Sequence, residues 1–113
     1  MRPIPKSRLP HSATLHNVTT DAYQAETDSA AVASLTNVRF EPTSKVVKTK
    51  DNTDLQLAAV MFYDMRSSSP RNQAFSIGQA VKFGTSRFKI ELIDQLYDAR
   101  HLHHLEIGLS GGV

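Results

Sequence analysis

The sequence has no cysteine, so neither disulfide bonds nor thiolate metal sites can contribute to its stability. That absence fits an intracellular assembly environment. No apolar run approaches the roughly 20 residues needed to span a bilayer. The opening MRPIPKSRLP is basic but holds Pro3, Pro5 and Pro10 and no apolar stretch, so it is not expected to act as a signal peptide. A soluble protein made in the cytoplasm is the expectation. The signatures G-x-x-x-x-G-K-[ST], G-x-G-x-x-G and H-E-x-x-H are all missing. Asp94 and Asp98 could be imagined as an acid–base pair, but they flank an irregular loop with no nucleophile beside them. The chain therefore reads as non-enzymatic and without a cofactor. No internal repeat or low-complexity tract is evident, and 113 residues suit one domain with one modest core.

Charge is more informative in its distribution than in its sum of +2. Residues 1–20 carry Arg2, Lys6 and Arg8 and no acid, whereas residues 21–38 carry only Asp21, Glu26 and Asp28 as charges. Residues 39–89 hold nine basic side chains against four acids, and the remainder is net acidic through Glu91, Asp94, Asp98 and Glu106. Such blocks suit self-association or docking between unlike surfaces. An ordinary mixed surface is the plainer reading.

The clearest pattern is residues 81–109, where three apolar–polar alternations are separated by Gly84-Thr85-Ser86 and Tyr97-Asp98-Ala99-Arg100. Period-two alternation rich in Val, Ile, Phe and Leu argues strands with one buried face. Gly84 is the tightest turn candidate, since glycine adopts the positive φ that short hairpins need. Upstream, residues 1–10 read as an extended, proline-punctuated arm. Residues 11–19 read as a first strand. Residues 21–33 read as a long hairpin connection rather than a helix, because no apolar stripe forms. Residues 35–48 read as a long strand with Val38 and Phe40 on one face, bent or bulged at Pro42. Residues 49–53 make a polar turn. Residues 54–64 read as the central strand, and Phe40, Phe62, Phe83 and Phe88 as core. MRSSSPRNQAFS, residues 65–76, is a loop by every turn criterion. Loops of that length are usually functional or ordered by a partner. Residues 77–79 re-enter the sheet, and residues 110–113 form a flexible tail. The fold expected is all-β: one small antiparallel barrel or sandwich over 11–109 with a long loop between central strands.

His101, His103 and His104 invite a metal reading. On a strand, however, His101 and His103 share a face and His104 points the other way. A third ligand would have to come from His11 or His16 with nothing to indicate which. The cluster is read instead as an interface feature, and no metal is expected. Arg66, Ser67, Ser68, Ser69, Pro70 and Arg71 could contact phosphate, but they lack the aromatics that stack on bases. Lys45, Lys48 and Lys50 could face a nucleic-acid backbone or keep an edge strand soluble, and the second is the simpler reading.

Taken in order, RPIPKSRLPHSATL, NVRFEP, VMFYD with its Ser-Ser-Pro loop, VKFG followed by FKI, and HHLEIGL resemble a family of minor capsid proteins of tailed phages, especially those of Gram-positive hosts. The likeness spans nearly the whole chain, although residues 21–33 depart from the aromatic, glycine-containing turn of that family. By strand pattern the family looks like head-completion, or stopper, proteins of the head-to-tail connector. The resemblance implies a ring of copies in the virion neck, sixfold or twelvefold, assembled in the host cytoplasm. Adaptor or portal proteins would lie on one side and tail-completion or tail-tube proteins on the other. Residues 65–76 would then be a channel loop helping to retain double-stranded DNA without sequence specificity. Arg2, Pro3, Pro5, Lys6 and Arg8 of the arm, with His101, His103 and His104, would contact neighbouring subunits or partners. Two alternatives stay open: another neck component (adaptor or tail-completion protein), and a small nucleic-acid-binding barrel of the oligonucleotide-binding type.

Overall fold

The regular structure is formed by β1 (His11–Thr20), β2 (Glu26–Pro42), β3 (Val46–Lys48), β4 (Asp54–Gln56), β5 (Ala59–Asp64), β6 (Ala80–Phe83), β7 (Ser86–Asp98) and β8 (His101–Gly111). This computed structural model describes residues 4–23, 25–48, 52–70, 73–98 and 101–111. Among them the one helical element is a 3-10 turn over Lys6–Arg8. Six strands make one antiparallel sheet in the order β1-β2-β5-β8-β7-β6. β1 then meets β6 through Thr14–Lys82, Leu15–Val81 and His16–Ala80, so the sheet closes on itself. That seam is short, and register shifts interrupt β1 at His11, Leu15 and His16 and β7 at Ile90 and Leu96. Bulges of this kind bend strands sharply. The cross-section is accordingly flattened and sandwich-like rather than a regular barrel, with extents of 46 × 31 × 24 Å.

The alternation from Ala80 onward does what its period requires. Val81, Ile90, Ile107 and Leu109 point inward with Leu15, Leu35, Val38, Met61 and Tyr63, all fully buried. Phe83 pairs with Ser86 across the two-residue turn, and Gly84 there has φ of 61°. This is the glycine conformation at the first position of a type II′ turn. At one margin of the core the rings of Phe40 and Phe83 stack at 4.4 Å, with Phe88 at 5.8 Å from Phe40 and His11 edge-on to Phe83 at 4.9 Å.

Several expectations change. Residues 35–48 are not one strand: Pro42, with no N–H to donate, is the last residue of β2, and β3 starts only at Val46. Within β2, Asn37 has φ of 55° and shifts the alternation, so that Leu35 and Val38, three apart, are both buried. Residues 54–64 divide likewise, because β4 pairs only with β3 in a separate ribbon. Leu57 leaves the strand path and packs over Gly108. A Cβ at Gly108 would sit 2.9 Å from Leu57 Cδ1 and 3.1 Å from Leu92 Cβ, so a larger residue there would push the Leu57 side chain aside. Phe62 is not core: it faces outward between the buried Met61 and Tyr63, beneath the N-terminal arm. Residues 77–79 form a turn before β6, and β8 continues through Ser110 to Gly111, so those two belong to the sheet and not to a tail.

Residues 21–33 are a hairpin, as expected over a helix, but its strands run almost to the tip. Asp21 N donates to Ala25 O, and Asp21 Oδ1 accepts from the amides of Tyr23 and Ala25. The tip leaves Tyr23 91% exposed. Farther down, Asp28 meets Arg87 Nη2 at 2.7 Å and Lys82 Nζ at 3.3 Å, and Glu26 meets Lys89 Nζ at 2.6 Å. The acidic block of residues 21–38 is thus partly matched by basic residues of the same chain. These pairs clamp the hairpin to β6 and β7. Hydrogen bonds from Arg87 are the main cause that holds the Asp28 carboxyl down at about 2, and a bond from Lys89 lowers Glu26. Because the folded value lies below the ordinary 3.8, the clamp is complete above about pH 4 and is lost as pH falls toward about 2. Urea unfolding at pH 5 and pH 3 is expected to show that acid loss in the native chain and less of it in Asp28→Asn. Added salt should shrink the difference.

Candidate functional site: the root of the 65–76 connection

The connection from β5 to β6 joins strands that are not neighbours in the sheet, and it starts at a fully buried carboxylate. Asp64 Oδ1 accepts the amides of Arg66 and Ser67, each at 2.8 Å, and Oδ2 accepts the amide of Ile4 at 2.9 Å. An acidic side chain capturing the amides two and three residues ahead is an Asx-type turn. Here it also captures an amide sixty positions back.

The three serines of the expected channel loop all serve this root. Ser67 Oγ donates to Ile4 O at 2.7 Å. Ser68, 1% exposed, donates its hydroxyl to Asn37 O and accepts from Asp64 N. Ser69 exchanges both main-chain hydrogen bonds with Thr36 at 3.0 Å each. Met65 N donates to His103 O at 3.1 Å. Arg66 is exposed and Pro70 half-buried, while Arg71 lies outside the described residues. The first half of the connection is therefore fastened to β2, β8 and the arm. On the return, Phe75 meets Tyr63 edge-to-face at 5.1 Å and helps line a cleft of about 370 Å³ with Met65, Ile93, Leu102 and Leu105. Tyr63 itself is buried with its hydroxyl unpartnered, and burial pushes that hydroxyl up to about 12. An unmade buried hydrogen bond costs about 1–3 kcal/mol.

The arm docks on its own domain over residues 4–10. Arg8 N donates to Pro5 O, closing the 3-10 turn, and Leu9 is 1% exposed. Ile4, Arg8 and Leu9 share a cleft of about 200 Å³ with Phe62, Arg39 and Glu41. Pro5 and Arg8 are exposed. Arg2 and Pro3 fall outside the described residues, as does the side chain of Lys6. Of the lysines, Lys45 is exposed and Lys48 pairs with Asp54 at 3.3 Å on the β3–β4 ribbon, while Lys50 is outside the described residues.

His103 and His104 lie beside this root, and the His101 side chain is outside the described residues. His103 Nε2 is 4.0 Å from Asp64 Oδ2, His103 Nδ1 is 2.7 Å from His104 Nδ1, and His104 Nε2 is 3.0 Å from Glu106 Oε2. The two imidazoles expected on opposite faces are thus in contact. His11 and His16 are engaged elsewhere: His11 Nδ1 accepts Phe40 N, and His16 bridges Thr14 Oγ1 and Ser29 O. Among the described residues no three potential ligands converge on one point.

Sequence reasoning missed Asp64, Ile4 and Asn37 as organisers of this region. Asp64 had a usable signal, an aspartate closing an apolar strand directly before a serine-rich stretch. Ile4 had none, because its partner is a main-chain contact distant in sequence. What the fold and site define so far is a class: a small all-β domain with a long, root-anchored connection. Compared with known proteins, the chain matches no family model and no curated sequence.

Proposed function

We propose that this protein is a structural component of a tailed-phage neck, a head-completion or stopper protein whose copies form a ring around the DNA channel. Support comes from the ordered motifs that resemble the minor capsid family, together with one feature of the fold. A long connection between non-adjacent strands rises from one end of a closed sheet, and its base is held by Asp64, Ser67, Ser68 and Ser69. On this reading the irregularly closed sheet is the small barrel of the ring subunit. The anchored base carries Arg66 and Pro70 toward the channel. A gate should not grip phosphates, because tight binding would oppose ejection, and two arginines among serines satisfy that better than a lysine cluster. Heterologous contacts around the ring join unlike patches. The tip of the β1–β2 hairpin, with Tyr23, and the end of β7, with Leu96 and Tyr97, are exposed and unlike patches of this kind.

The aromatic rings weigh against the rival nucleic-acid-binding barrel. Phe40, Phe83 and Phe88 pack on the core and Phe62 lies under the arm, so they do not form a stacking platform. The test is assembly without the protein. Heads made in its absence should fill with DNA, lose it and fail to take tails. Normal infectious particles would overturn the proposal, and tight, salt-sensitive binding of the isolated chain to short DNA would favour the rival.

A further inference from the structure

We propose that Thr14 is a nucleophilic hydroxyl, activated by His16, that takes the acyl group of small activated esters in a cleft over β1, β2 and β6. Such a site is compatible with a ring subunit and does not depend on one. Thr14 and His16 lie two apart on β1 and line a cleft of about 500 Å³ with Ser12, Ser34, Thr36 and Lys82. No sequence signature marks the pair, because the group that orients His16 lies thirteen positions away.

His16 Nδ1 is 2.9 Å from Ser29 O, and Nε2 is 2.8 Å from Thr14 Oγ1. A carbonyl oxygen only accepts, so the Nδ1 hydrogen points at Ser29. In the neutral ring Nε2 is then a bare acceptor, and the Thr14 hydroxyl donates to it. Hydroxyl, imidazole and carbonyl thus stand in the order of nucleophile, base and the base's orienter. A bulge makes this possible. Between the pairs His16–Ala31 and Val18–Asp28, β2 has Ala30 and Ser29 against Asn17 alone. Bulges re-aim groups that regular pairing would spend on the neighbouring strand. Here the bulge turns the Ser29 carbonyl onto the ring, and Asn17 N donates to Ser29 Oγ instead. His16 is 8% exposed, so the imidazole is held in place while its hydroxyl partner faces the cleft.

Lys82 lies opposite Thr14 in register and supplies a counter-charge. Arg87 takes both oxygens of Asp28, at 2.8 and 2.7 Å, whereas Lys82 stands 3.3 Å from that carboxylate with its side chain 42% exposed. The ammonium can therefore turn toward an oxyanion and leave Asp28 paired. In the step itself, Thr14 Oγ1 adds to the ester carbonyl carbon as its proton passes to His16 Nε2. The carbonyl electron pair moves onto the oxygen, beside Lys82. When that pair returns, the bond to the leaving oxygen breaks, and His16 gives that oxygen the proton. The products are the free alcohol and an acyl ester of Thr14. Water, losing a proton to the same imidazole, then releases the acid and restores the hydroxyl. The cross-strand pairs Ser12–Thr36 and Thr14–Ser34 give the cleft hydroxyl walls, which suit a short acyl group rather than a long aliphatic one.

p-Nitrophenyl acetate and the full chain test this at about pH 8, the upper end of the range in which imidazoles titrate. Release of p-nitrophenolate gives the rate, and peptide mapping after an acid quench gives the site. The native chain is expected to react about tenfold or more faster than Thr14→Val, which keeps the shape and loses the hydroxyl. The acetyl group should map to Thr14. His16→Gln, whose amide can still donate to Ser29 O but cannot take up a proton, should fall to the level of Thr14→Val. Thr14→Ser should keep the reaction, and Lys82→Met should slow it without abolishing it. Should His16→Gln fail to fold, the contrast between Thr14→Ser and Thr14→Val decides alone. A native rate equal to that of Thr14→Val, acetyl groups confined to lysines and the amino terminus, or undiminished labelling of Thr14 in folded His16→Gln would each overturn the proposal.

Discussion

Asp64→Ala is expected to destabilise the protein by about 3 kcal/mol or more, because it strands three amide donors in a buried site at once. The amides are those of Ile4, Arg66 and Ser67, all within 2.9 Å of the carboxylate. Charge-assisted bonds of this length are stronger than neutral ones, and no water reaches a fully buried group to replace them. Asp64→Asn should separate the two functions of the side chain. Its carbonyl oxygen can take the Oδ1 position and keep Arg66 and Ser67. Its NH₂ group would then face the Ile4 amide, donor against donor. The expected result is a smaller loss of stability in urea unfolding, with protease cleavage of the arm near Pro5 accelerated and the connection still protected. Equal cleavage in the asparagine variant and the native chain would contradict the role assigned to Oδ2.

Why this carboxylate escaped a reading of the sequence is instructive. Residues 81–109 were legible because each strand has one buried and one solvated face, and period two shows that directly. Gly84 then marked the turn that Phe83 and Ser86 close. Where a strand is exposed on both sides, no such pattern exists. The outer half of the β1–β2 hairpin is of this type: it is held by main-chain pairing and by Arg87, Lys82 and Lys89, residues about sixty positions away. Where the outer face is covered, the pattern misleads. Phe62 looked like core because it is aromatic and sits in an apolar run, yet the surface it covers lies under the arm. Leu57 is buried too, but from a break in the strand, where it packs over Gly108. A single positive φ at Asn37 shifted the phase of β2. The loop at 65–76 was legible from composition, whereas its anchorage was not. Hydroxyls that could have faced a channel are spent on Asn37, Ile4 and Asp64.

Leu15→Ala is expected to cost about 2–5 kcal/mol, the usual range for truncating a buried leucine, and to open the sheet at one place. Leu15 is fully buried where β1 lies between β2 and β6, opposite Ala33 on one side and Val81 on the other. The seam comprises three residue pairs, and bulges follow it immediately in β1. Beyond the seam, β1 meets β6 through the His11–Phe83 ring contact, and Gln79 Nε2 just before β6 donates to Asn17 Oδ1, so the acid–base clamp then has to carry much of the load. The global loss should therefore come with hydrogen exchange at residues 14–16 and 80–82 that is faster than the drop in overall stability accounts for. Leu105→Ala is the control. It removes the same buried group from the other side of the core, where β8 pairs along its length with both β5 and β7. Its loss should be spread over the whole molecule, with the seam no more labile than the rest. Salt should deepen the defect of Leu15→Ala more than that of Leu105→Ala, because it weakens the remaining clamp. Identical exchange patterns in the two variants would mean that the seam carries no stability of its own. The closed sheet would then behave as a simple sandwich with two edges in contact.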